Sequence, residues 1–342
     1  MTKKSDKFAI DGVEIKRGER MRINIDMGSL YDFTDLKMPV EVIRGMKDGP
    51  TIFVSSAIHG DEINGIAIAR RLLEDKELKK IRGTLIVIPI VNIFGFNDRS
   101  RYLPDRRDLN RCFPGLKSGS LTSQLAYKFM QEIALKSDFG IDLHTGAFHR
   151  CNYPQIRCDI SDAFTLETAK AFGAPVVIGS NIRDGSLRAA VTHANIPMIL
   201  FEAGEAMRFD ENNTRMGVEG ILNVMREIGM LKKTVKKPAK KIFLARSSSW
   251  VRAPNSGIHT AHKELGNVVK KGDVLGEIAN PFGDNKIEIK AHENGVLIGM
   301  SKLPLANKGD ALFHIACEKA NNKVMTSNQM SEHFEIVDPV NA

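Results

Sequence analysis

Between residues 51 and 230, the sequence alternates short apolar runs with segments of helical periodicity. The apolar runs are typical of buried strands and cover residues 51–58, 83–92, 139–145, 175–179 and 197–204. Helical segments lie between or after these runs, at residues 63–74, 121–136, 163–172 and 213–228. Nearly continuous apolar strands that alternate with helices are typical of α/β domains. We therefore expect an α/β domain whose mixed, largely parallel sheet is flanked by helices.

Changes in composition predict where this α/β domain begins and ends. The first 50 residues contain short alternating segments and turns, which predict β-hairpins at the edge of a domain covering residues 1–230. A basic, proline-containing linker is predicted at residues 231–240, followed by an all-β, barrel-like domain with a polar tail at residues 241–342. In this second domain a Lys-Gly-Asp core begins at Lys271 and again at Lys308, which predicts a quasi-repeat of small hairpins.

The bulk composition narrows the classes of function. The chain has 342 residues, 42% hydrophobic and 26% charged, which is typical of a soluble globular protein. It lacks an apolar run of about 18 residues and an N-terminal hydrophobic signal segment, so we expect a cytoplasmic protein that does not enter a membrane. The four dispersed cysteines match no zinc or redox motif and predict reduced thiols.

The net charge of +8 fits either a nucleic-acid partner or a small acidic substrate. Aromatic residues make up only 6% of the chain, which leaves few side chains to stack on bases. We therefore expect a small-molecule substrate and no nucleic-acid partner, and the oligomeric state, including a homo-oligomer, is left open.

Polar residues at the ends of two predicted strands form a candidate metal site. His59 and Glu62 follow the first apolar run directly, and His144 ends the third. Two histidines and a glutamate are a ligand set of catalytic zinc sites, which keep one position open. Asp142 lies two residues before His144, on the same strand face, where a carboxylate can hold the other nitrogen of the imidazole.

The same loop also fits a purely structural interpretation. In that case Asp61 caps the helix that follows, and His59 is merely solvated. Gly60 provides a tight turn in either interpretation, because glycine adopts unusual backbone angles at low cost.

A loop rich in arginine and aspartate, "RSRYLPDRRDLNRCFPG", follows the second apolar run. Arginine forms bidentate contacts with carboxylates, so Arg101 and Arg111 are candidates to bind an anionic substrate or to polarise a carbonyl oxygen. Asn110 offers an amide for either task, whereas a solvated loop is the alternative.

Glu202 ends the last apolar run of the α/β region, in "PMILFEAGE". A partly desolvated carboxylate at this place suits a general base that takes a proton from water and returns it to a leaving amine. Glu205 is a competing candidate three residues later, and a structural role at the strand end is the alternative for both.

Taken together and in this order, the motifs resemble the succinylglutamate desuccinylase/aspartoacylase family, a branch of the zinc carboxypeptidase superfamily. The segments "HGDE", "DLNRCFPG" and "DLHTG" carry the resemblance, and "FEAG", "GSLRAA" and "CNYPQIR" are less specific. The resemblance runs from about residue 50 to residue 205 and continues into a C-terminal part that is similar to the β-barrel of many bacterial members. It implies a zinc-carboxypeptidase-like fold with this barrel appended.

The resemblance also implies roles for individual residues. One Zn²⁺ per chain is bound by His59, Glu62 and His144. Glu202 is the general base and acid, and Arg101 polarises the scissile carbonyl.

Further residues are implied to support the ligands or the substrate. Asp108 orients the first zinc histidine, and Asn110 and Arg111 bind the substrate. Arg188 and Arg157 are expected to bind a further acidic group or line the pocket.

The expected activity is zinc-dependent hydrolysis of the amide bond of a small N-acyl amino acid. The alternative is a carboxypeptidase-type zinc peptidase that acts on short peptides, and a non-catalytic module with the same fold is a third hypothesis. Aspartoacylases use a tyrosine of the C-terminal domain at the substrate site. None of the four tyrosines here follows residue 230, so the substrate preference of aspartoacylase does not carry over.

Overall fold

The computed structural model describes residues 7–180, 183–233 and 241–317. The predicted polar tail after residue 317 and residues 234–240 of the predicted linker lie outside the described residues. None of the described helices is long and apolar enough to cross a membrane.

The part before the predicted linker contains ten strands and six α-helices among the described residues. The strands are β1 (Phe8–Ile10), β2 (Val13–Ile15), β3 (Arg20–Ser29), β4 (Asp35–Arg44), β5 (Lys47–Ser56), β6 (Arg82–Ile88), β7 (Phe139–Gly146), β8 (Arg150–Cys158), β9 (Val176–Gly179) and β10 (Met198–Glu205). The helices are α1 (Asn64–Glu74), α2 (Ile93–Asn97), α3 (Leu121–Glu132), α4 (Ala163–Phe172), α5 (Leu187–His193) and α6 (Glu211–Glu227).

The helix ends follow from local sequence signals. Ser120, Asp162, Ser186 and Asp210 are the N-caps of α3, α4, α5 and α6, and each side chain accepts a hydrogen bond from a backbone N–H three residues later. Gly173 ends α4 with a left-handed backbone, which glycine adopts without strain.

The central sheet is mixed, as predicted, and its parallel part is confined to two groups of strands. The order β10–β7–β5–β6 is parallel throughout, and β8, β9 and β11 (Phe243–Ala245) form a second parallel group. Antiparallel strands flank the first group, with β4 and β3 on one side and β8 on the other. β3 thus lies at one edge of this sheet.

The C-terminal part is all-β among the described residues. Its remaining strands are β12 (Ser247–Arg252), β13 (Gly257–Ala261), β14 (Val268–Val269), β15 (Val274–Ala279), β16 (Ile287–Lys290), β17 (Gly295–Ser301), β18 (Leu305–Ala306) and β19 (Ala311–Cys317). β17 pairs antiparallel with β8, so the order β12–β19–β17 continues the central sheet. The strands β16–β15–β13–β18 form a separate sheet.

The predicted hairpin quasi-repeat is wrong in its pairing. In each Lys-Gly-Asp segment, the strand before the turn and the strand after it belong to different sheets. In the first segment, β14 pairs with β17, whereas β15 pairs with β13 and β16. In the second, β18 pairs with β13, whereas β19 pairs with β12 and β17. The turns themselves are alike, because Asp273 and Asp310 accept hydrogen bonds from the backbone N–H groups of Lys270 and Asn307. Equivalent turns therefore connect the two sheets in place of two hairpins.

Apolar side chains cover both faces of the central sheet. One cluster packs α3 and α5 against the face that carries Phe53 and Met198, and another packs α1, α4 and α6 against the opposite face. A smaller cluster joins the two parts of the chain and includes Tyr153 and Ile178 from one part and Phe243, Val296 and Ile298 from the other. All four cysteines are free thiols, as predicted.

Candidate active site

The predicted metal ligands lie at the ends of two neighbouring parallel strands. β5 and β7 pair with Ser56 opposite Leu143, so their carboxyl ends meet at one edge of the sheet. His59 and Glu62 follow the end of β5, and His144 lies near the end of β7. Sheets of this kind form sites beyond the carboxyl ends of their strands. The parallel pairing thus brings His144 to the loop that carries the other two residues.

The three side chains form a compact, buried cluster. Ligand atoms of His59, Glu62 and His144 all lie within 4.8 Å of one another. Glu62 Oε1 is 2.7 Å from His59 Nδ1, and Glu62 Oε2 is 2.7 Å from His144 Nδ1. All three residues are at most 7% exposed. Glu62 therefore connects the two imidazoles through their Nδ1 atoms.

Carboxylates hold the other nitrogen of each imidazole. His59 Nε2 is 3.1 Å from Asp108 Oδ1, and His144 Nε2 is 2.7 Å from Asp142 Oδ2. Ser55 Oγ donates to the second oxygen of Asp142 at 2.7 Å, which fixes that carboxylate. Both aspartates thus lie where the sequence predicted supporting residues.

The charges of the cluster shift pKa values in opposite directions. Burial alone would lower the pKa of His59, but Glu62 and Asp108 outweigh it and raise this pKa. Burial also opposes the charged form of His144, whose pKa Asp142 and Glu62 raise well above its ordinary value. Burial would raise the pKa of Glu62, but the two histidines lower it far below its usual range. The cluster therefore favours positive charge between its carboxylates.

The donor set fits a divalent metal ion. Two imidazoles and one carboxylate are ligands of open catalytic zinc sites. Each imidazole directs Nδ1 towards Glu62 and has Nε2 held by an aspartate, which is the usual environment of a ligating histidine. The residues His59, Glu62 and His144 can therefore hold such an ion.

Gly60 lies in a turn, as predicted, although for a different reason, and Asp61 differs from its predicted role. Gly60 does not have a left-handed backbone; a Cβ at this position would lie 2.0 Å from the carbonyl carbon of Gly95, so close packing requires the glycine. Asp61 does not cap the helix, since Ile63 is the N-cap of α1 and no side chain caps it. Asp61 is 5% exposed, and its Oδ1 lacks a hydrogen-bond partner among the described residues.

Arg101 contacts the metal-ligand cluster directly. Its Nη1 donates to Glu62 Oε1 at 3.1 Å, and its Nε and Nη2 donate to Asp108 Oδ2 at 3.2 and 3.1 Å. Burial would lower the pKa of Arg101, but Glu62 and Asp108 raise it, so the guanidinium stays charged. Arg101 therefore lies against Glu62 and Asp108.

Asn110 and Arg111 make contacts that the sequence did not indicate. Asn110 Oδ1 accepts a hydrogen bond from the backbone N–H of Leu187 at 2.9 Å, which links this loop to the first turn of α5. Arg111 is exposed, and its Nη1 donates to the backbone carbonyl of Asn110 at 2.6 Å. The loop thereby positions α5, the helix that carries Arg188.

Glu202 lies next to the cluster on β10. It is the register partner of His144 on β7 and of Gln155 on β8. Glu205 is opposite Gly146, beyond an irregularity in the strand where Gly204 is left-handed. Between the two predicted candidates, Glu202 is therefore the neighbour of a metal-ligand residue.

The two further predicted arginines lie beside Glu202. Arg157 Nε is 2.5 Å from Glu202 Oε2, so the guanidinium predicted for substrate holds this carboxylate. Burial, followed by the charge of Arg157, lowers the pKa of Arg188, which also feels the charge of Glu202. Both arginines therefore interact electrostatically with Glu202 at this end of the site.

The C-terminal part brings residues to this site that sequence analysis missed. His314 of β19 is 4% exposed and feels the charges of Arg157, Arg150 and Arg183. Burial, followed by these charges, lowers its pKa to about 3. The signal in the sequence was a single histidine within the continuous apolar run of β19, but nothing in that run indicated which strand lies alongside.

A cleft of about 530 Å³ lies between the two parts of the chain. Its walls include Asp61, Arg101 and Arg150 from one part and Asp310 and Leu312 from the other. Arg101 lines this cleft and also contacts Glu62, so the cleft lies beside the cluster of His59, Glu62 and His144. The C-terminal part therefore forms one wall of this cleft.

Comparisons with known proteins identify the family of the chain. The model of the succinylglutamate desuccinylase/aspartoacylase catalytic domain matches residues 48–228, more than half of the chain. N-alpha-acetyl-L-2,4-diaminobutyric acid deacetylase of Halomonas elongata is a curated relative, 27% identical over 292 residues. The match covers 82% of this chain and 85% of the relative.

Two solved structures have a similar fold. The ectoine utilization protein EutE (DoeB) from Ruegeria pomeroyi, in a product-bound structure, superposes with a TM-score of 0.81 at 23% identity, covering 92% of this chain and 100% of its own. A succinylglutamate desuccinylase/aspartoacylase from Rhodobacter sphaeroides has a TM-score of 0.78 at 25% identity, covering 88% and 96%. The chain therefore belongs to the succinylglutamate desuccinylase/aspartoacylase family.

Proposed function

We propose that the chain is a zinc-dependent hydrolase that cleaves the amide bond of a small N-acyl amino acid, with one Zn²⁺ per chain. The observation that carries this proposal is the buried cluster of His59, Glu62 and His144, with Glu202 beside it on the next strand. A metal-ligand set next to a carboxylate that can exchange protons is the minimum that hydrolysis by an activated water requires.

The relatives support the class of substrate. The protein from Halomonas elongata is, by its name, a deacetylase of an Nα-acetyl amino acid, and it matches this chain over most of both lengths. The family is named after a desuccinylase and an aspartoacylase, whose names also describe removal of an acyl group. An N-acetyl or N-succinyl amino acid is therefore the first class to test.

Glu202 is the proposed general base and acid. When bound, a zinc ion supplies a Lewis acid that lowers the pKa of a water molecule towards neutrality. Glu202 takes the proton from the attacking water and delivers it to the nitrogen of the leaving amine. The ion pair with Arg157 orients its carboxylate for both transfers.

Arginines surround the path of the substrate. Arg101 is the proposed donor to the amide carbonyl oxygen as negative charge develops there, because its guanidinium already lies against Glu62. Arg188 and Arg111 are proposed to bind an acidic group of the substrate, since guanidinium groups pair with carboxylates in bidentate fashion. Asn110 supports Arg188 through its hydrogen bond to the start of α5.

We also propose a division of labour along the chain. Residues 1–230 form the catalytic domain, and the all-β domain from residue 241 onwards covers the mouth of the site. The joint cleft, with walls from both parts, supports this division. A covered mouth favours small substrates over the long peptides that a carboxypeptidase-type enzyme would accept.

The test is a hydrolysis screen of the zinc-loaded protein. The panel contains N-acetyl and N-succinyl amino acids, including Nα-acetyl-2,4-diaminobutyrate, together with short unblocked peptides. Release of the free amine from at least one N-acyl amino acid is the expected result, with Glu202→Gln as the inactive control. Cleavage of the peptides alone would favour the peptidase alternative, and no cleavage of any compound would contradict the proposal.

A further inference from the structure

Arg150 lies in the cleft between the two parts of the chain, at the start of β8. Its side chain is exposed, and no carboxylate within the described ranges lies close enough to form an ion pair with it. By contrast, Arg101 in the same cleft is engaged with Glu62 and Asp108. Arg150 therefore presents a charged guanidinium whose hydrogen-bonding groups are free for a ligand.

Aromatic rings of the C-terminal part hold this guanidinium in place. The Cζ atom of Arg150 lies over the Trp250 ring, 5.2 Å from its centroid. Trp250 in turn stacks on His314, with ring centroids 4.3 Å apart and planes 9° from parallel. Ser248 Oγ lies 2.9 Å from His314 Nε2 and fixes the lower ring. A guanidinium over an indole keeps its N–H edges available for a carboxylate.

The backbone of Arg150 is fixed as well. Its N–H donates to the carbonyl of Ala147 in the tight turn before β8. Arg150 is also the register partner of Ser301 on β17, and the N–H of Lys302 donates to the carbonyl of His149 at 2.7 Å. Strand β12 therefore holds the side chain and β17 holds the turn, which limits the entropy lost when Arg150 binds a ligand.

The cleft carries charges of both signs, and Arg101 is already paired with Glu62 and Asp108. Arginines at positions 99, 101 and 150 face the carboxylates of Asp61 and Asp310. The neutral state of His314 keeps a further positive charge away from this group, because burial and the neighbouring arginines lower its pKa to about 3. A neutral ring can stack beneath Trp250 without repelling the arginine above it.

We propose that Arg150 is a specificity-determining residue that binds a carboxylate of the substrate in the cleft beside Arg101. The proposal rests on the proposed function, because the ligand is an N-acyl amino acid whose amide reaches the metal-ligand cluster. Trp250 and His314 are positioning residues, which act by holding the guanidinium. The C-terminal part thereby takes part in substrate selection and does not merely cover the site.

The experiment compares zinc-loaded wild type, Arg150→Gln and Arg150→Lys on matched compounds. These are an N-acetyl amino acid, its α-carboxamide, and the N-succinyl form of each. Arg150→Gln should lower kcat/KM by about 10- to 100-fold through KM for compounds that carry the bound carboxylate, and by less than about threefold for those that lack it. The pair of compounds that shows this difference identifies the carboxylate of the amino acid or of the acyl group.

The positioning role is tested in the same assay. Trp250→Ala should raise KM in the same direction as Arg150→Gln, and Trp250→Phe should restore most of the wild-type value, because a phenyl ring still supports the guanidinium. Arg150→Lys should recover only part of the loss, since an ammonium lacks the planar fork. A circular dichroism spectrum and the melting temperature of each variant establish that it is folded.

Controls separate this proposal from the proposed function. Arg70→Gln removes an exposed arginine of α1 and should leave all constants unchanged. The role of Arg150 would be overturned if Arg99→Gln lowered kcat/KM as much as Arg150→Gln does. It would also be overturned if Arg150→Gln lowered kcat/KM equally for compounds with and without the carboxylate. In both cases the proposed hydrolysis would be unaffected. If the wild type hydrolyses nothing, binding of the same compounds is measured by calorimetry instead. The proposal is rejected if Arg150→Gln leaves their affinity unchanged or if none of them binds.

Discussion

Glu202 and His144 are direct neighbours in the parallel ladder between β10 and β7. The two side chains come from segments 58 residues apart in the sequence, and the register of the sheet places the proposed general base beside a proposed metal ligand. This relationship distinguishes Glu202 from Glu205 and leads to the first prediction.

Glu202→Gln should lower kcat by about 10²–10⁴-fold while zinc remains bound, because the amide cannot accept a proton from water. The measurements are steady-state kinetics and the metal content of the purified protein. Glu205→Gln is the matched control and should stay within a few-fold of the wild type. A reversal of the two results would assign the general base to Glu205.

His144→Ala should abolish stoichiometric zinc binding, because two ligands cannot form the expected three-ligand site. Elemental analysis of protein dialysed against a weak chelator measures the effect. His193→Ala, at an exposed position of α5, is the matched control and should retain the zinc of the wild type. One equivalent of zinc in His144→Ala would mean that the metal is bound elsewhere.

Asp142→Asn should weaken zinc affinity by about 10- to 100-fold, because the charged partner of His144 Nε2 is lost while the ligand itself remains. Competition with a chromophoric chelator gives the affinity. Asp35→Asn makes the same chemical change at an exposed position at the start of β4 and should have no effect. Equal affinities of Asp142→Asn and wild type would show that this carboxylate does not support the ligand.

Gly60→Ala should destabilise the fold by about 1–3 kcal/mol, because the new methyl group meets the backbone of Gly95 and Phe96. Since the loop carries both His59 and Glu62, its displacement should also weaken zinc binding. Urea unfolding and metal titration of the same variant measure the two effects. A variant as stable as the wild type would indicate that the two backbones can separate at little cost.

His314 should make the protein less stable as the pH falls. Its pKa is about 3 in the folded chain and 6.5 is its ordinary value, so between these limits only the unfolded chain binds the proton. The free energy of unfolding therefore decreases as the pH falls below 6.5, with a slope of at most about 1.4 kcal/mol per pH unit. The total loss due to His314 is roughly 2 kcal/mol at pH 5.

His314→Gln tests this dependence, because glutamine has no proton to gain. The difference in unfolding free energy between wild type and variant, measured in urea at pH 7 and pH 5, should shift in favour of the variant at the lower pH. His193→Gln, at an exposed position of α5, is the control for loss of a histidine. A pH-independent difference would contradict the proton-linked effect of His314.

The sequence by itself determined most of the local structure and the ends of the strands that carry the metal ligands. Helix α4 has the predicted bounds, and α1, α3 and α6 begin or end within a few residues of the predicted ones. Periodicity shows which face of an element is buried, and polar residues at a strand end show where that strand stops. These are local properties, which a single sequence displays directly.

Only the tertiary structure decided how distant segments meet. β8 pairs antiparallel with β10 on one side and with β17 on the other. These pairings, and the contact of Arg157 with Glu202, depend on the register between strands that are remote in the sequence. Asp61 and Gly60 likewise changed roles, because the caps and the close backbone contact involve neighbours that local patterns do not identify. Pairing depends on complementarity across space, whereas periodicity records only the local environment of each residue.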